Sequence, residues 1–460
     1  MSQNPAGILI LQNTRWIDLQ QSEKIYNITI IGAGPAGLAA ACRCAELQVE
    51  DVLLIERDSY PGGILPQCIH GGFGLKIFNT ELTGPQYSQI FTDKLEKTDV
   101  CLKLDTMALN IESRRGLPYK EVTIAGRQDG FRSIKTRALI LGLGCRERTR
   151  GQVMIPGSRP AGVYTAGLVQ RMVNIEGFLP GREIVILGSG DIGLIMARRL
   201  SLEGCKVKGV FELMPFSTGL LRNISQCLED FNIELHLSHT VTNIYGDKRL
   251  EAIEVCRVDE GLKPIRSSAR KIKCDTLLLS VGLIPENELS KTCGIDMDPY
   301  TGGPKVDENL QTSQEGIFSC GNSLFVYDLV DNVTIDGYMA AENAVSYISV
   351  NRNKSNISAA GPVPAEVACV EIIPGENVLH VVPQLIKSAR DTVFNIRARI
   401  PLRNAVLEFS PGSFSKRIQY VNPGEMIIAK LTKQQIEEII AENLNSKEPV
   451  KVNLKRGGLS

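Results

Sequence analysis

Two hexapeptides in the chain have a spacing that phosphate chemistry uses. Gly32-Ala33-Gly34-Pro35-Ala36-Gly37 and Gly188-Ser189-Gly190-Asp191-Ile192-Gly193 are both complete G-x-G-x-x-G patterns. In such a sequence the first glycine permits a tight strand-to-helix turn, the second lets the backbone approach a pyrophosphate, and the third lets the helix pack closely on the strand. The helix N-terminus then offers unpaired amides and the positive end of its dipole to the phosphates. Each pattern is followed, 24 positions after its first glycine, by an acid: Glu56 and Glu212. There a carboxylate would accept hydrogen bonds from ribose hydroxyls. An acid at 212 suits the free 2′-hydroxyl of NAD and repels the 2′-phosphate of NADP, although Lys206 and Lys208 lie nearby. A third candidate is Cys68, two residues before His70. A thiolate beside an imidazole could act in redox chemistry or shuttle a proton, but such a pair more often packs and hydrogen-bonds without reacting.

Glycine turns gain meaning from the elements around them. Ile28–Ile31 is a β-branched run that reads as a buried parallel strand, Ala36–Leu47 has helical composition, and Val52–Glu56 reads as the next strand. The arrangement returns with strand Glu183–Leu187, helix Ile192–Glu203 and strand Val207–Glu212. Two βαβ units of this kind predict an α/β protein with two Rossmann-like, three-layer dinucleotide-binding domains. Alternating apolar and polar residues over roughly 100–137 predict a small antiparallel layer, and Ala138–Gly144 a strand returning to the first sheet. Asn351–Pro364 has linker composition. Beyond it lie short β-rich runs: Glu366–Ile373, Val378–Val382, Val393–Ile400, Ala405–Phe409 and Met426–Lys430. Pro-Gly turns separate several of them, and the amphipathic segment Thr432–Leu444 closes what reads as a small β domain. The expected division is an extension over 1–24, one dinucleotide domain over 25–150 and 286–350, and a second nested within it over 151–285. A linker over 351–364 and a β-rich domain over 365–460 complete it.

Composition narrows the function classes. Lys+Arg and Asp+Glu both number 51, so the net charge is zero, against a nucleic-acid or polybasic membrane role. Hydrophobic residues make up 43% and charged residues 22%, a globular profile. No apolar run approaches the roughly 20 residues needed to span a bilayer. The first residues, with one short apolar run at Ile8–Leu11, lack the features of a signal peptide. The 12 cysteines are scattered with no C-x-x-C pair, so no metal site is expected and reduced, cytoplasmic thiols are the simplest reading.

With both motifs in place the chain resembles the two-dinucleotide-binding-domain flavoproteins, relatives of glutathione reductase and NADH oxidase, over roughly residues 25–350. Gly316-Ile317-Phe318-Ser319-Cys320-Gly321-Asn322 resembles that family's late FAD motif, with Asn322 in place of the aspartate that binds the ribityl chain. An amide can still hydrogen-bond a hydroxyl. Gly142-Leu143-Gly144 stands where the family has Ala-Thr-Gly, and Leu279–Pro285 resembles its return strand. The resemblance also implies a helix over Val333–Val345 whose amino end faces the flavin pyrimidine ring, where its dipole would stabilise charge on reduced flavin. It assigns FAD to Gly32, Gly34, Pro35, Ala36, Gly37, Glu56, Arg57, Gly62, Gly63, Gly144, Gly321, Asn322, Val333 and Thr334. It assigns NAD(H) to Gly188, Gly190, Asp191, Ile192, Gly193, Glu212 and Gly282.

Disulfide reductases of this superfamily carry C-x-x-x-x-C in the region of Pro61–Gly74. Here Cys68 has no such partner, so no dithiol relay can be drawn on this loop, and Cys68 with His70 is the remaining catalytic candidate. The stretch resembles instead the flavoprotein component of bacterial anaerobic-type glycerol-3-phosphate dehydrogenases. Glu81-Leu82-Thr83-Gly84-Pro85, Cys145-Arg146-Glu147-Arg148-Thr149 and Pro423-Gly424-Glu425-Met426 fit the same group, with hydrogen cyanide synthase and opine oxidase subunits as more distant cousins. That resemblance implies a hetero-oligomer with an amine-oxidase-like flavoprotein and a small iron–sulfur subunit, touching a membrane only through partners. A stand-alone NADH oxidase or diaphorase, an amine- or opine-oxidising subunit, and a scaffold that lost a cofactor are the alternatives.

Overall fold

The computed structural model describes residues 20–114, 116–127, 130–355, 369–412 and 414–457. Its first sheet has the order Cys101–Lys103, Val52–Ile55, Gln20–Ile31, Gly130–Leu141, Lys120–Gly126, Thr106–Glu112, with Ile317–Ser319 paired to Gly130–Leu141. The buried runs explain its parallel half. Ile28, Ile30 and Val52–Ile55 are at most 2% exposed, as strands covered on both faces must be. Helix Pro35–Glu46 lies on this sheet and buries mostly alanine, glycine and cysteine. Small side chains let it approach the long helix Val330–Ser355, where a Cβ on Gly337 would strike the Ala36 carbonyl.

The second sheet is wholly parallel, in the order Leu235–His236, Lys206–Phe211, Glu183–Leu187, Thr276–Leu279, Val163–Thr165. Helices Ala166–Asn174 and Asp191–Leu202 cover one face around Ile184, Ile186 and Leu278. An antiparallel layer of His239–Gly246, Leu250–Arg257 and Arg270–Lys273 covers the other, closing on Val185, Leu187 and Leu277. Two Rossmann-like three-layer units are thus present. An antiparallel pair, Cys145–Glu147 with Leu283–Pro285, links them. The C-terminal region folds around its own core of Phe394, Phe409 and Ile436. It has a five-stranded sheet, a three-stranded sheet and helix Lys433–Ser446, which starts on a Thr432–Gln435 capping box.

Several elements differ from the sequence reading, each for a local reason. The first strand begins at Gln20, not Ile28, because Gln20 and Gln21 pair with Arg132 and Ser133 before a bulge; the rest of the expected extension, Trp16 included, lies outside the described residues. Polar residues paired in this way leave no hydrophobic signature in the sequence. The layer expected over 100–137 starts at Thr106, since Cys101–Lys103 belongs to the parallel sheet. Gly130–Leu141 is one strand serving both the layer and the parallel sheet. Leu279–Pro285 is not one strand but breaks at Ser280–Gly282, where Gly282 takes a left-handed φ of 99°. Residues 351–355 of the expected linker continue the long helix, and 356–364 lie outside the described residues. Strands Ser415–Val421 and Val450–Arg456 were not expected; the first is polar and mostly exposed.

Candidate functional site

The first glycine turn is shaped by contacts that only glycine allows. Gly32 has φ 98°, its amide donates to Ile55 O at 2.8 Å, and a Cβ there would strike the Gly142 carbonyl. A Cβ on Gly37 would strike the Gly32 carbonyl. Gly34 behaves differently: nothing lies within 4 Å of where its Cβ would be. It caps helix Pro35–Glu46 with no side chain bonding the first turn, so the initial amides face open space, and Pro35 at the start costs no donor. A glycine whose missing side chain leaves a void, beside unpaired helix-start amides, is a cradle of the kind a dinucleotide pyrophosphate fills. Gly62 donates to Ala33 O at 2.8 Å and Gly63 would bring a Cβ to 3.0 Å from Gly34 Cα, so their loop walls the cradle.

Both terminal acids do more than wait for a ribose. Glu56 accepts from the amides of Ala33 at 2.7 Å and Asp58 at 2.9 Å. Glu212 accepts from the Ser189 amide at 2.8 Å, the Ser189 hydroxyl at 2.7 Å and the Met214 amide at 2.9 Å. Each carboxylate therefore holds its own glycine turn in shape while it lines the cleft. In the second turn Gly188 has φ 97° against the Ser280 carbonyl, and Gly193 donates to Ser280 Oγ at 3.1 Å. Asp191, in the first turn of its helix, accepts from the Leu220 amide at 2.8 Å and Asn223 Nδ2 at 2.6 Å.

The two turns open on one continuous cleft of about 2730 Å³, several times the size of a drug-sized site. Gly32, Gly34, Pro35, Ala36, Glu56, Arg57, Gly63, Gly144, Asn322 and Val333 line it, together with Gly188, Gly190, Asp191, Ile192, Glu212 and Gly282. Gly37, Gly62, Gly193, Gly321 and Thr334, also expected to touch a cofactor, stand behind the lining instead. Gly37 and Gly193 pack helix on strand, Gly321 donates to Asp336 at 3.3 Å, and the Thr334 hydroxyl bonds Tyr87 OH at 2.8 Å. Asn322 accepts from the Tyr327 amide at 3.0 Å and its Nδ2 lies 3.6 Å from Cys145 Sγ. Arg57 pairs with Glu286 at 3.4 Å. Behind the loop that holds Gly321 and Asn322, burial pushes Asp336 up to about 7, and it accepts from Tyr327 OH.

Cys68 and His70 do not form a thiol–imidazole pair. The Cys68 thiol is buried and donates to Ile64 O at 3.4 Å and Gln170 Oε1 at 3.6 Å; burial pushes it up to about 12. The His70 ring lies 5.0 Å from Phe73, its Nδ1 is 2.9 Å from Gly71 O, and burial holds it below the ordinary imidazole range. All twelve cysteines are free, and among the described residues no cluster of His, Cys, Asp or Glu could hold a metal ion. No helix among them is long and apolar enough to cross a membrane.

Sequence reasoning missed one wall of the cleft. His380, Arg397, Arg399, Pro423 and Gly424 of the C-terminal region line it as well. Arg397 sits among apolar residues in a strand, where alternation alone reads as a solvated face.

Comparison with known proteins agrees with this geometry. Residues 26–346 match the family described as pyridine nucleotide-disulphide oxidoreductase. The chain is 27% identical over 282 residues to the HcnB subunit of hydrogen cyanide synthase from Pseudomonas aeruginosa, covering 58% of this chain and 59% of that one. It is 24% identical over 339 residues to an opine oxidase subunit from Agrobacterium tumefaciens, covering 69% and 63%. The match thus spans about three fifths of the length of these curated relatives. The fold is similar to that of Lactococcus lactis thioredoxin reductase, with a TM-score of 0.58 at 22% identity, covering 71% of this chain and 99% of that one. With its family match over well more than half the chain, and two glycine cradles on a single cleft, the protein belongs to the pyridine nucleotide-disulphide oxidoreductase family.

Proposed function

We propose that the chain carries electrons between NAD(H) and a partner flavoprotein, as the electron-transfer subunit of a complex of the glycerol-3-phosphate dehydrogenase type. The observation that carries the reading is the single cleft joining two glycine cradles, on a chain that lacks a paired thiol to take electrons onward. In this reading FAD occupies the turn at Gly32–Gly37 and the nicotinamide dinucleotide the turn at Gly188–Gly193. Residues 25–150 with 286–350 form the first domain, 151–285 the second and 365–460 a third. Bound there, FAD supplies an acceptor for the nicotinamide hydride. The chain's own residues position the two: the helix-start amides hold phosphates, the acids hold ribose hydroxyls, and Asn322 meets the ribityl chain. Glu212 supports NAD over NADP. Lys208, which could otherwise favour a 2′-phosphate, is held by Glu183 at 2.9 Å and by Lys273 O at 2.6 Å.

Two relatives are themselves named as subunits, which supports a partner-dependent role; the name of one, an opine oxidase subunit, favours an amine- or opine-oxidising complex as the second reading. The test uses purified chain with dye. It should reduce dye with NADH, fail to oxidise glycerol 3-phosphate alone, and do so once an amine-oxidase-like flavoprotein is added. Turnover of glycerol 3-phosphate without a partner would overturn the relay reading.

A further inference from the structure

The wall that the C-terminal region adds to the cleft is cationic, and among the described residues it has no ion-paired acid. His380 and Arg397 stand directly opposite one another on the paired strands Val378–Val382 and Thr392–Ala398. Arg397 donates to the carbonyls of Val326 at 3.0 Å, Pro423 at 3.0 Å and Gly424 at 3.1 Å, and lies over the Phe325 ring at 5.5 Å. These contacts fix the guanidinium with no carboxylate in direct contact; Asp328 and Asp191 act on its charge only from a distance. Asp328 directs its oxygens at the amides of Leu329 and Met426, each at 3.1 Å, and not at the guanidinium. Arg399 is exposed on the same wall and makes one long bond, to Val378 O at 3.4 Å. Burial first, and then the two arginines, push His380 down to about 4, so the ring is neutral and the wall holds two positive charges.

Taking a guanidinium out of water with no acid in contact costs energy, and anchoring it on three carbonyls keeps it pointing one way. Such a group is preorganised to receive a planar or tetrahedral oxyanion, which a guanidinium grips with two parallel hydrogen bonds. Its position is specific. Val326 lies four residues past Asn322, and a Cβ on Gly424 would meet Thr218 beside the second glycine turn. The wall therefore faces the junction of the two cofactor cradles.

We propose that Arg397 and Arg399, with His380, form an oxyanion subsite of the reaction cleft, filled by a phosphate or carboxylate of a reactant. The anion comes either from the pyrophosphate of the nicotinamide dinucleotide or from the second reactant, and the experiment separates them. This rests on the reading that both cofactors occupy the cleft; FAD content and bleaching by NADH, measured on the same samples, report that reading without reference to the anion.

The test titrates sodium sulfate against sodium chloride at equal ionic strength while the holoenzyme reduces ferricyanide or neutral menadione with NADH. Sulfate should inhibit saturably beyond chloride in the wild type. Arg399→Gln should weaken that inhibition about tenfold, the loss of one charge-assisted contact, and Arg399→Lys should retain most of it. Arg399 makes only one long bond, so this variant carries the test even if Arg397→Gln fails to fold. A KM for NADH raised with both acceptors in Arg399→Gln identifies the dinucleotide as the anion's source. A KM raised for ferricyanide alone identifies the second reactant. No sulfate effect beyond chloride in the wild type, equal sulfate inhibition in wild type and Arg399→Gln, or both KM values unchanged would overturn the subsite.

Discussion

The two glycine turns obey one rule by different means. At the first, glycine meets backbone: Gly32 abuts the Gly142 carbonyl and Gly37 abuts the Gly32 carbonyl. At the second, Gly188 likewise abuts the Ser280 carbonyl, but the other two glycines meet a side chain first. Gly193 would bring a Cβ to 2.6 Å from Ser280 Cβ, and Gly190 one to 3.3 Å from Ser280 Oγ. Ser189 adds a hydroxyl bonded to Glu212 and accepting from the Thr218 amide at 3.1 Å. Backbone cannot step aside without moving a strand, whereas a serine side chain can be trimmed by substitution. The first cradle is therefore a fixed fitting. The second is adjustable at Gly190 and Gly193, where its shape depends on a few short side chains.

The largest effects should fall at the first turn. Gly37→Ala forces a Cβ into the Gly32 carbonyl, and overpacking against backbone should cost about 3 kcal/mol or more. The protein should melt well below wild type and purify without FAD, as thermal unfolding and the flavin absorbance would show. Gly34→Val separates packing from binding. Its backbone, with φ −72°, accepts any residue and its Cβ faces open space, so the protein should fold and melt like wild-type apoprotein yet hold no FAD. Stoichiometric FAD in that variant would show the first cradle has been given the wrong ligand.

What could be read in the sequence follows the same divide between local and assembled features. Both turns, their strands and their acids are contiguous in the chain, so spacing alone exposed them. The second duty of the acids was hidden, because Glu56 reaches Ala33 only after the sheet brings residues 23 apart together. The cationic wall was hidden for a stronger reason. Val393, Asn395 and Arg397 alternate with buried Thr392, Phe394, Ile396 and Ala398, the pattern of a strand with one wet face. That face meets the cleft because Arg397 docks on Val326, and nothing in the local alternation signals a contact between residues 71 apart.

At the second turn the effects should be smaller and reversible. Glu212→Ala removes the acceptor proposed for ribose and releases the Ser189 and Met214 amides. NADH binding should weaken by about 1–3 kcal/mol while bound FAD persists. Titration of the dissociation constant checks it, and a wild-type preference for NADPH would refute the role given to the acid. Gly193→Ala should raise the KM for NADH on the order of tenfold, about 1.4 kcal/mol. Adding Ser280→Gly should restore part of that loss, because the tighter of the two obstructions is gone and only the Gly188 carbonyl, at 3.1 Å, remains. Rescue of this kind has no counterpart at Gly37, where the obstruction is a carbonyl. If the second substitution restores nothing, the contrast between fixed and adjustable cradles fails.

The smallest effect should come from Cys68, the residue whose chemistry looked most suggestive. A thiol acts as a nucleophile or proton donor near neutral pH only if its environment favours the thiolate. Here the environment is apolar, the thiol is pushed up to about 12, and its hydrogen bonds go to an amide side chain and a backbone carbonyl. Near neutral pH it is an uncharged donor that ties the Pro61–Gly74 loop to Gln170. A hydroxyl can make the same bonds, so Cys68→Ser should keep FAD and reduce flavin with NADH within about threefold of wild type, under about 1 kcal/mol. The sign of the pH effect follows from the upward shift. The protonated thiol contributes fully below the ordinary thiol value, and its contribution fades only as pH rises toward about 12. The rate of flavin reduction should therefore have the same profile in wild type and Cys68→Ser between about pH 6 and about pH 9. Stopped-flow measurement of that rate decides it: a step in the wild-type profile that vanishes in Cys68→Ser would make the thiol a participant rather than a tether.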